Sequence, residues 1–328
     1  ADTMARMIEV NETGGPEVMQ LVERDVAKPS ADQITIKQSA IGINFIDVYF
    51  RTGLYPSPQL PFIPGMEGAG EVAEVGSDVT EFKVGDRVAY AAAPVGAYTE
   101  LRNIEAAKVV KVPDTISDDQ AAAMMLKGMS ARYLLRATFN VTAEHTILFH
   151  AAAGGVGLIA GQWAKALGAT VIGTAGSPEK IELALANGYD HVINYNSENF
   201  VDRVMEITDG KKCDVVYDSV GRDTFPGSLD CLKPMGMWAS FGQSSGPLPE
   251  VNLGILAQKG SLFATRPTLF NYIATRPLLD VTANDLFDVV GSGKVNIAIN
   301  QTYELADAQQ AHRDLEGRKT IGCSLLKP

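Results

Sequence analysis

The sequence predicts an α/β protein in which a β-rich part is joined to a doubly wound parallel sheet, and three observations carry that prediction. Short β-like segments cut by Gly and Pro fill the first stretch, to about residue 125; from about residue 127 strand-like apolar runs alternate with helical patterns; and a glycine cluster, Gly154-Gly155-Val156-Gly157, stands at the first such strand-to-helix junction. A chain of 328 residues, 46% hydrophobic, is long enough for two cores.

In the first part, Gln33 to Ser39, Gly70 to Val75, Asp86 to Ala91 and Lys108 to Val112 read as strands. Between them Asn44 to Arg51 is a short helix closed by Gly53, and Pro56, Pro58, Pro61 and Pro64 mark a surface loop. The second part opens with the strand Thr146 to Ala151. Val156, Ile159, Ala160, Trp163, Ala164 and Leu167 then recur at helical spacing and define one buried face, stopped at Gly168. Thr170 to Thr174 is a second strand, and Ser177-Pro178 is a helix cap followed by Pro at the first helical position. Strands follow at His191 to Asn194, Asp214 to Ser219 and Met237 to Phe241, with helices at Glu198 to Ile207 and Thr224 to Leu232. Repeated β-α-β units close as a parallel sheet with helices on both faces. The last 60 or so residues read as less regular, with a helix at Ala306 to Leu315 and a strand at Ile321 to Leu326.

Composition excludes several classes. No apolar run approaches the roughly 18 residues of a membrane span, and the start Ala1 to Arg6 lacks a signal-peptide core, so a soluble cytoplasmic protein is expected. Cys213, Cys231 and Cys323 share no disulfide or zinc spacing and read as buried thiols. A net charge of -11 works against a phosphate-tracking nucleic-acid surface. His145, His150, His191 and His312 share no metal spacing and are read as structural.

The glycine cluster sits where a dinucleotide fingerprint must lie. Gly154 lets backbone approach a pyrophosphate, Gly157 allows close helix-on-strand packing, and the helix N-terminus offers unpaired N–H groups; Ala152 takes the usual first Gly. No Gly-Lys-Ser or Gly-Lys-Thr follows, which excludes a P-loop. An NAD site places a carboxylate at the end of the second strand, whereas this chain has Gly173-Thr174-Ala175-Gly176-Ser177, with Lys180 one turn further. Small hydroxyl residues admit a 2′-phosphate and Lys180 offers it a cation, with Arg318 or Lys319 as further candidates, so NADPH is the expected cofactor.

Several motifs in order, Ile41 to Asp47 with Tyr49 and Gly53-Leu54-Tyr55-Pro56, Pro64 to Gly70, Val84 to Val88, Ala151 to Gly157 and Val216 to Gly221, resemble the medium-chain dehydrogenase/reductase superfamily, and within it the NADPH:quinone oxidoreductase (zeta-crystallin-like) branch. The resemblance covers nearly the whole chain. It implies a GroES-like β-rich catalytic domain at 1–126, a Rossmann NADPH-binding domain at 127–265 and a return to the catalytic domain over 266–328. Where zinc alcohol dehydrogenases have a Cys and a Gly-His-Glu His as metal ligands, this chain has Asn44 and Met66, and the structural zinc's Cys quartet is absent. An amide and a thioether are poor zinc ligands, so no metal is expected.

Without a Lewis acid to stabilise an alkoxide, an electron-poor acceptor such as a quinone fits better than an alcohol. The resemblance implies Asn44, Tyr49 and Tyr55 as hydrogen-bond donors to it, with Asp47 orienting them. It implies cofactor contacts at Asn44, Lys127, Ser130, Gly154, Gly155, Val156, Gly157, Gly173, Thr174, Ser177, Lys180, Tyr195, Ser219, Phe241, Gly242, Phe263, Thr265 and Arg318. It further implies a homodimer joined through an edge strand at Ser261 to Arg266. The rival readings are an NADPH-dependent enone or alkenal reductase and, from another class, a non-catalytic nucleotide- or RNA-binding protein.

Overall fold

The computed structural model describes residues 3–57 and 59–328; Pro58 of the proline-rich loop, and Ala1 and Asp2 of the chain start, lie outside them. The chain separates into two compact units, one made of Ala1–Lys127, Thr275–Gly291 and Ile297–Pro328, the other of Gly128–Ala274 and Ser292–Asn296.

The first unit is built on a seven-stranded sheet. Its spatial order is Ile299–Glu304, Cys323–Lys327, Gln33–Gly42, Glu67–Val75, Arg87–Ala91 and Val110–Lys111, with Leu101–Glu105 also paired to Gln33–Gly42. Gln33–Gly42 is the spine, antiparallel to three partners, and Ile34, Ile36 and Ile41 on it are fully buried. A hairpin, Met4–Val10 with Met19–Asp25, packs Ile8, Val10 and Met19 into the same core. The Asn44 to Arg51 helix appears as Phe45–Thr52, with Asn44 as N-cap and Gly53 in the left-handed region at φ 85°.

The second unit holds a six-stranded, wholly parallel sheet in the order His191–Asn194, Thr170–Ala175, Thr146–Phe149, Cys213–Asp218, Leu232–Ser240, Phe263–Thr265. The chain starts in the middle, winds outward one way, returns and winds outward the other, so the order reverses between Thr146–Phe149 and Cys213–Asp218. Loops at the carboxyl ends beside such a reversal form the usual ligand site of this architecture. Ser177 caps Pro178–Leu185 by accepting from the Lys180 N–H, as its sequence signal indicates.

Several elements differ from expectation. The 16-residue helices Asp118–Tyr133 and Arg276–Gly291 stand where no helix is expected. The Lys108 to Val112 strand shrinks to Val110–Lys111 behind a 3-10 turn at Ala106–Lys108. The helix expected over Thr224 to Leu232 is confined to Gly227–Asp230, because Pro226 is its N-cap and Leu232 already belongs to the next strand.

Candidate active site

The chemistry-bearing side chains of the first unit gather around the Phe45–Thr52 helix. Its N-cap, Asn44, is 6% exposed, and its amide is held at both ends: Nδ2 donates to Glu67 Oε1 at 3.0 Å, and Oδ1 accepts from Lys127 Nζ at 2.7 Å. Lys127 also donates to the Ile43 carbonyl, and the second Glu67 oxygen accepts the Leu126 N–H at 2.6 Å. An amide nitrogen has two hydrogens and an ammonium three, so among the described residues one hydrogen on each is left without a protein acceptor. Two N–H donors of this kind suit an oxygen that is gaining negative charge.

Asp47, three residues into the helix, is fully buried. Its Oδ2 accepts the Asn44 N–H at 2.9 Å and the Tyr98 hydroxyl at 2.7 Å, while Oδ1 finds no hydrogen-bond partner among the described residues. Burial pushes the Asp47 carboxyl up to about 7, against the opposing hydrogen bonds from Tyr98 and Asn44. Burial also raises Glu67, with Lys127 opposing it. Tyr49 and Tyr55 meet with ring centroids 5.3 Å apart, Tyr55 N–H donates to the Tyr49 carbonyl, and burial raises the Tyr49 hydroxyl. Arg318, at φ 58°, is exposed just past the Ala308–Glu316 helix of this same unit.

In the second unit the remaining residues, Phe263 and Ser130 apart, lie at or near the carboxyl ends of the parallel strands. Gly154 is the N-cap of Gly155–Ala166, and Gly155 and Val156 are its first two helical residues. A side chain at Gly157 would meet the carbonyl oxygens of Ala151 and Ala152 at 2.3 and 2.7 Å, so the helix approaches its strand only because that residue is glycine. Gly173 serves the same packing from the next strand, where a side chain would meet Ala152 Cβ at 2.6 Å. Ser177 and the half-buried Lys180 follow, and Tyr195 lies over Gly176, with its hydroxyl 2.4 Å from where a Gly176 Cβ would be. Ser219 follows the fourth strand, Phe241 and Gly242 follow the fifth and Thr265 ends the sixth, with Phe241 N–H donating to the Asp218 carbonyl. Phe263 is 60% exposed on the edge strand, and Ser130 is half-buried on the Asp118–Tyr133 helix.

Thr174 is placed differently from an open pocket residue: its hydroxyl lies 2.9 Å from His150 Nδ1 and is buried. His150 Nε2 lies 3.0 Å from Ser228 Oγ, which donates to Asp218 Oδ2. Asp218 further accepts from Thr224, the Val220 and Gly221 N–H groups and Trp238. Burial works against its charge but is outweighed by His150 and these donors, which hold the carboxyl below its ordinary range. The network braces three strand ends beneath the glycine-rich turn. Sequence reasoning gave no role to Glu67, Tyr98, Arg51 or Asp218; Glu67 and Asp218 lay inside recognised motifs, but nothing local marks Tyr98 or Arg51.

An alcohol dehydrogenase GroES-like domain matches residues 30–114 and a zinc-binding dehydrogenase family matches residues 155–275. With the reversed parallel sheet and its glycine turn, these matches define the chain's class: a medium-chain dehydrogenase/reductase. A quinone oxidoreductase of Salmonella typhimurium is 55% identical over 99% of this chain and 100% of its own. The crystal structure of Escherichia coli quinone oxidoreductase complexed with NADPH superposes with a TM-score of 0.95 at 54% identity, covering 99% of this chain and 100% of that one. A 2-haloacrylate reductase of a Burkholderia species is 43% identical over 97% of this chain and 98% of its own. The chain belongs to the quinone oxidoreductase family.

The family that matches residues 155–275 is named for zinc, which the residues here do not suit. Asn44 is tied between Glu67 and Lys127, Met66 is buried, and among the described residues no three of His, Cys, Asp or Glu gather as a metal would need. The dinucleotide fits better: the Gly154–Val156 N–H groups open at a helix N-terminus, and no carboxylate stands at the end of Thr170–Ala175 to repel a 2′-phosphate.

Proposed function

We propose that this protein is an NADPH-dependent quinone reductase that transfers hydride to a quinone without zinc. Bound NADPH supplies the hydride. The observation that carries the reading is the near-complete match, at 54% identity, to a quinone oxidoreductase complexed with NADPH.

Within this reading the N–H groups of Gly154, Gly155 and Val156 hold the pyrophosphate, with Gly157 and Gly173 keeping the turn close to the sheet. Ser177, Lys180, Tyr195 and Arg318 serve the adenosine 2′-phosphate end, Thr174 acting through His150 rather than by contact. Ser130, Ser219, Phe241, Gly242, Phe263 and Thr265 line the cofactor toward its nicotinamide. Asn44 and Lys127 donate their spare hydrogens to the acceptor oxygen as it becomes an anion, and Tyr49 and Tyr55 provide aromatic and hydroxyl contact. Asp47 holds the Asn44 backbone, acting by position. The two domains of the reading are a GroES-like catalytic domain and a Rossmann domain.

No helix among the described residues is long and apolar enough to cross a membrane. The same reading places the protein in the cytoplasm as a homodimer paired through the exposed edge strand Phe263–Thr265. Light scattering that reports a monomer would remove that pairing.

Initial rates of NADPH and NADH oxidation with 1,4-benzoquinone, an enal and an aldehyde, with and without chelator, test the function. NADPH-selective, chelator-insensitive turnover of the quinone is the expected result. Turnover of the enal alone would move the protein to the enone-reductase reading, which the 43% identical 2-haloacrylate reductase keeps in view. No turnover, together with tight and salt-sensitive RNA retention on a filter, would replace both.

A further inference from the structure

The polar cluster of the first unit does not stop at Asp47. The Tyr98 hydroxyl that donates to Asp47 lies 2.9 Å from His312 Nε2, and His312 Nδ1 lies 2.6 Å from an Arg51 guanidinium nitrogen. Arg51 goes on to the Gly14 carbonyl at 3.1 Å and to Glu316 at 2.8 Å. Tyr98 and His312 are 0% exposed and Arg51 1%.

The direction of each bond follows from donor chemistry. A guanidinium only donates, so His312 Nδ1 accepts and the imidazole proton resides on Nε2. That N–H donates to the Tyr98 oxygen, which leaves the Tyr98 proton for Asp47 Oδ2. Burial and Arg51 together bring His312 down to about 3, so it stays neutral and its tautomer is fixed. Three donors therefore point the same way in sequence, from Arg51 through His312 and Tyr98 to the carboxylate that holds the Asn44 N–H. Removing an intermediate makes Tyr98 a weaker donor, and Asp47 then keeps its proton to higher pH.

We propose that His312 is a positioning residue for the reaction: as a locked Nε2–H tautomer it relays the charge of Arg51 through Tyr98 and so sets whether Asp47 is charged as it holds the Asn44 end of the helix. The inference rests on the reading of Asn44 as a donor to the acceptor oxygen. The groups that act on Asp47 directly are Asn44 at the N-cap of its own helix, Tyr98 beside the Leu101–Glu105 strand, Glu67 from Glu67–Val75 and Lys127 from Asp118–Tyr133, while His312 from Ala308–Glu316 and Arg51 from its own helix reach it through Tyr98. Glu67 favours the neutral carboxyl, Lys127 the charged one.

The test is a pH titration of the full chain labelled with 13C at aspartate carboxyls, Asp47 being assigned as the resonance missing from Asp47→Asn. The wild-type midpoint is expected near 7. His312→Leu should raise it by about one pH unit, and the pH profile of kcat for quinone reduction should move with it. His312→Gln presents an amide oxygen to Arg51 and an NH2 to Tyr98, and should stay within about 0.3 unit of wild type. If His312→Leu does not fold, Tyr98→Phe removes the last donor and should give the same upward shift. An unmoved Asp47 midpoint in whichever of these two folds overturns the relay, as does a Gln variant displaced as far as the Leu variant. A shifted resonance with an unmoved kcat profile overturns the positioning role. The resonance is read without turnover, so failure of the quinone-reductase reading itself shows separately, as a wild-type protein that titrates as described but reduces no quinone.

Discussion

Asp47→Asn changes one buried charge and almost no volume, and the structure supplies a magnitude for it. Burial lifts the carboxyl from its ordinary 3.8 to about 7, which at 1.36 kcal/mol per pH unit corresponds to about 4 kcal/mol between charged and neutral forms. The sign follows from proton counts. Between pH 3.8 and about 7 the folded chain holds a proton on Asp47 that the unfolded chain has lost, so stability falls as pH rises through that window and levels off above it. Asparagine keeps an oxygen for the Asn44 N–H and the Tyr98 hydroxyl but carries no charge, so the variant should lack this slope. Relative to wild type it should gain about 3 kcal/mol between about pH 5 and about pH 8. Urea unfolding at those two pH values measures the difference. Both tryptophans, Trp163 and Trp238, lie in the second unit, so circular dichroism is the better probe of the first. A variant-minus-wild-type difference that stays constant across this range would mean that Asp47 is already ionised at pH 5, and the electrostatic account of the site would be wrong.

Three other substitutions probe separate parts. Gly157→Ala puts a methyl group into the Ala151 and Ala152 carbonyls and should cost about 1–3 kcal/mol with a fall in NADPH affinity; calorimetric titration showing wild-type binding would refute the packing role. Lys180→Ala should raise the KM for NADPH more than that for NADH, and equal effects in initial-rate kinetics would remove its phosphate role. Arg51→Met leaves His312 Nδ1 and the Gly14 carbonyl without their donor, and should destabilise by about 2–3 kcal/mol in urea unfolding; a loss under about 0.5 kcal/mol would mean those groups find other partners.

The second unit was legible because its signals are local. Ser177-Pro178, the 3.6-residue series from Val156 to Leu167 and the strand Thr170–Ala175 each announce themselves within a dozen residues, and their alternation dictates the parallel sheet. The Asp118–Tyr133 helix was hidden for a physical reason: Ala121 to Met125 are buried on every side, so no polar face alternates with an apolar one. Arg276–Gly291 did carry a stripe, with Leu279, Ala283, Leu286, Phe287 and Val290 buried, but it follows a Pro-bearing segment that read as irregular. In the site, Asn44 and Asp47 stood in a recognisable motif and Lys127 came only from the family resemblance, whereas Tyr98 and His312 are 214 residues apart and only the fold brings them together. A buried hydrogen-bond chain of that span leaves no periodic trace.

The closing strand of the large sheet has a bearing on how the chain is made. Cys323–Lys327 lies between Ile299–Glu304 and the spine strand Gln33–Gly42, so Ile41 and Gly42 of the spine pair with residues made long after them, Leu326 and Leu325. Residues 128–274, by contrast, contain all six strands of the parallel sheet. On the ribosome the parallel sheet is complete while the Ile41–Gly42 end of the spine still lacks its partner on one side, a strand edge open to wrong partners until Cys323–Lys327 arrives. The sheet begun before the parallel sheet is thus finished after it, and the burden on folding helpers falls on the unit that holds residues 33–42.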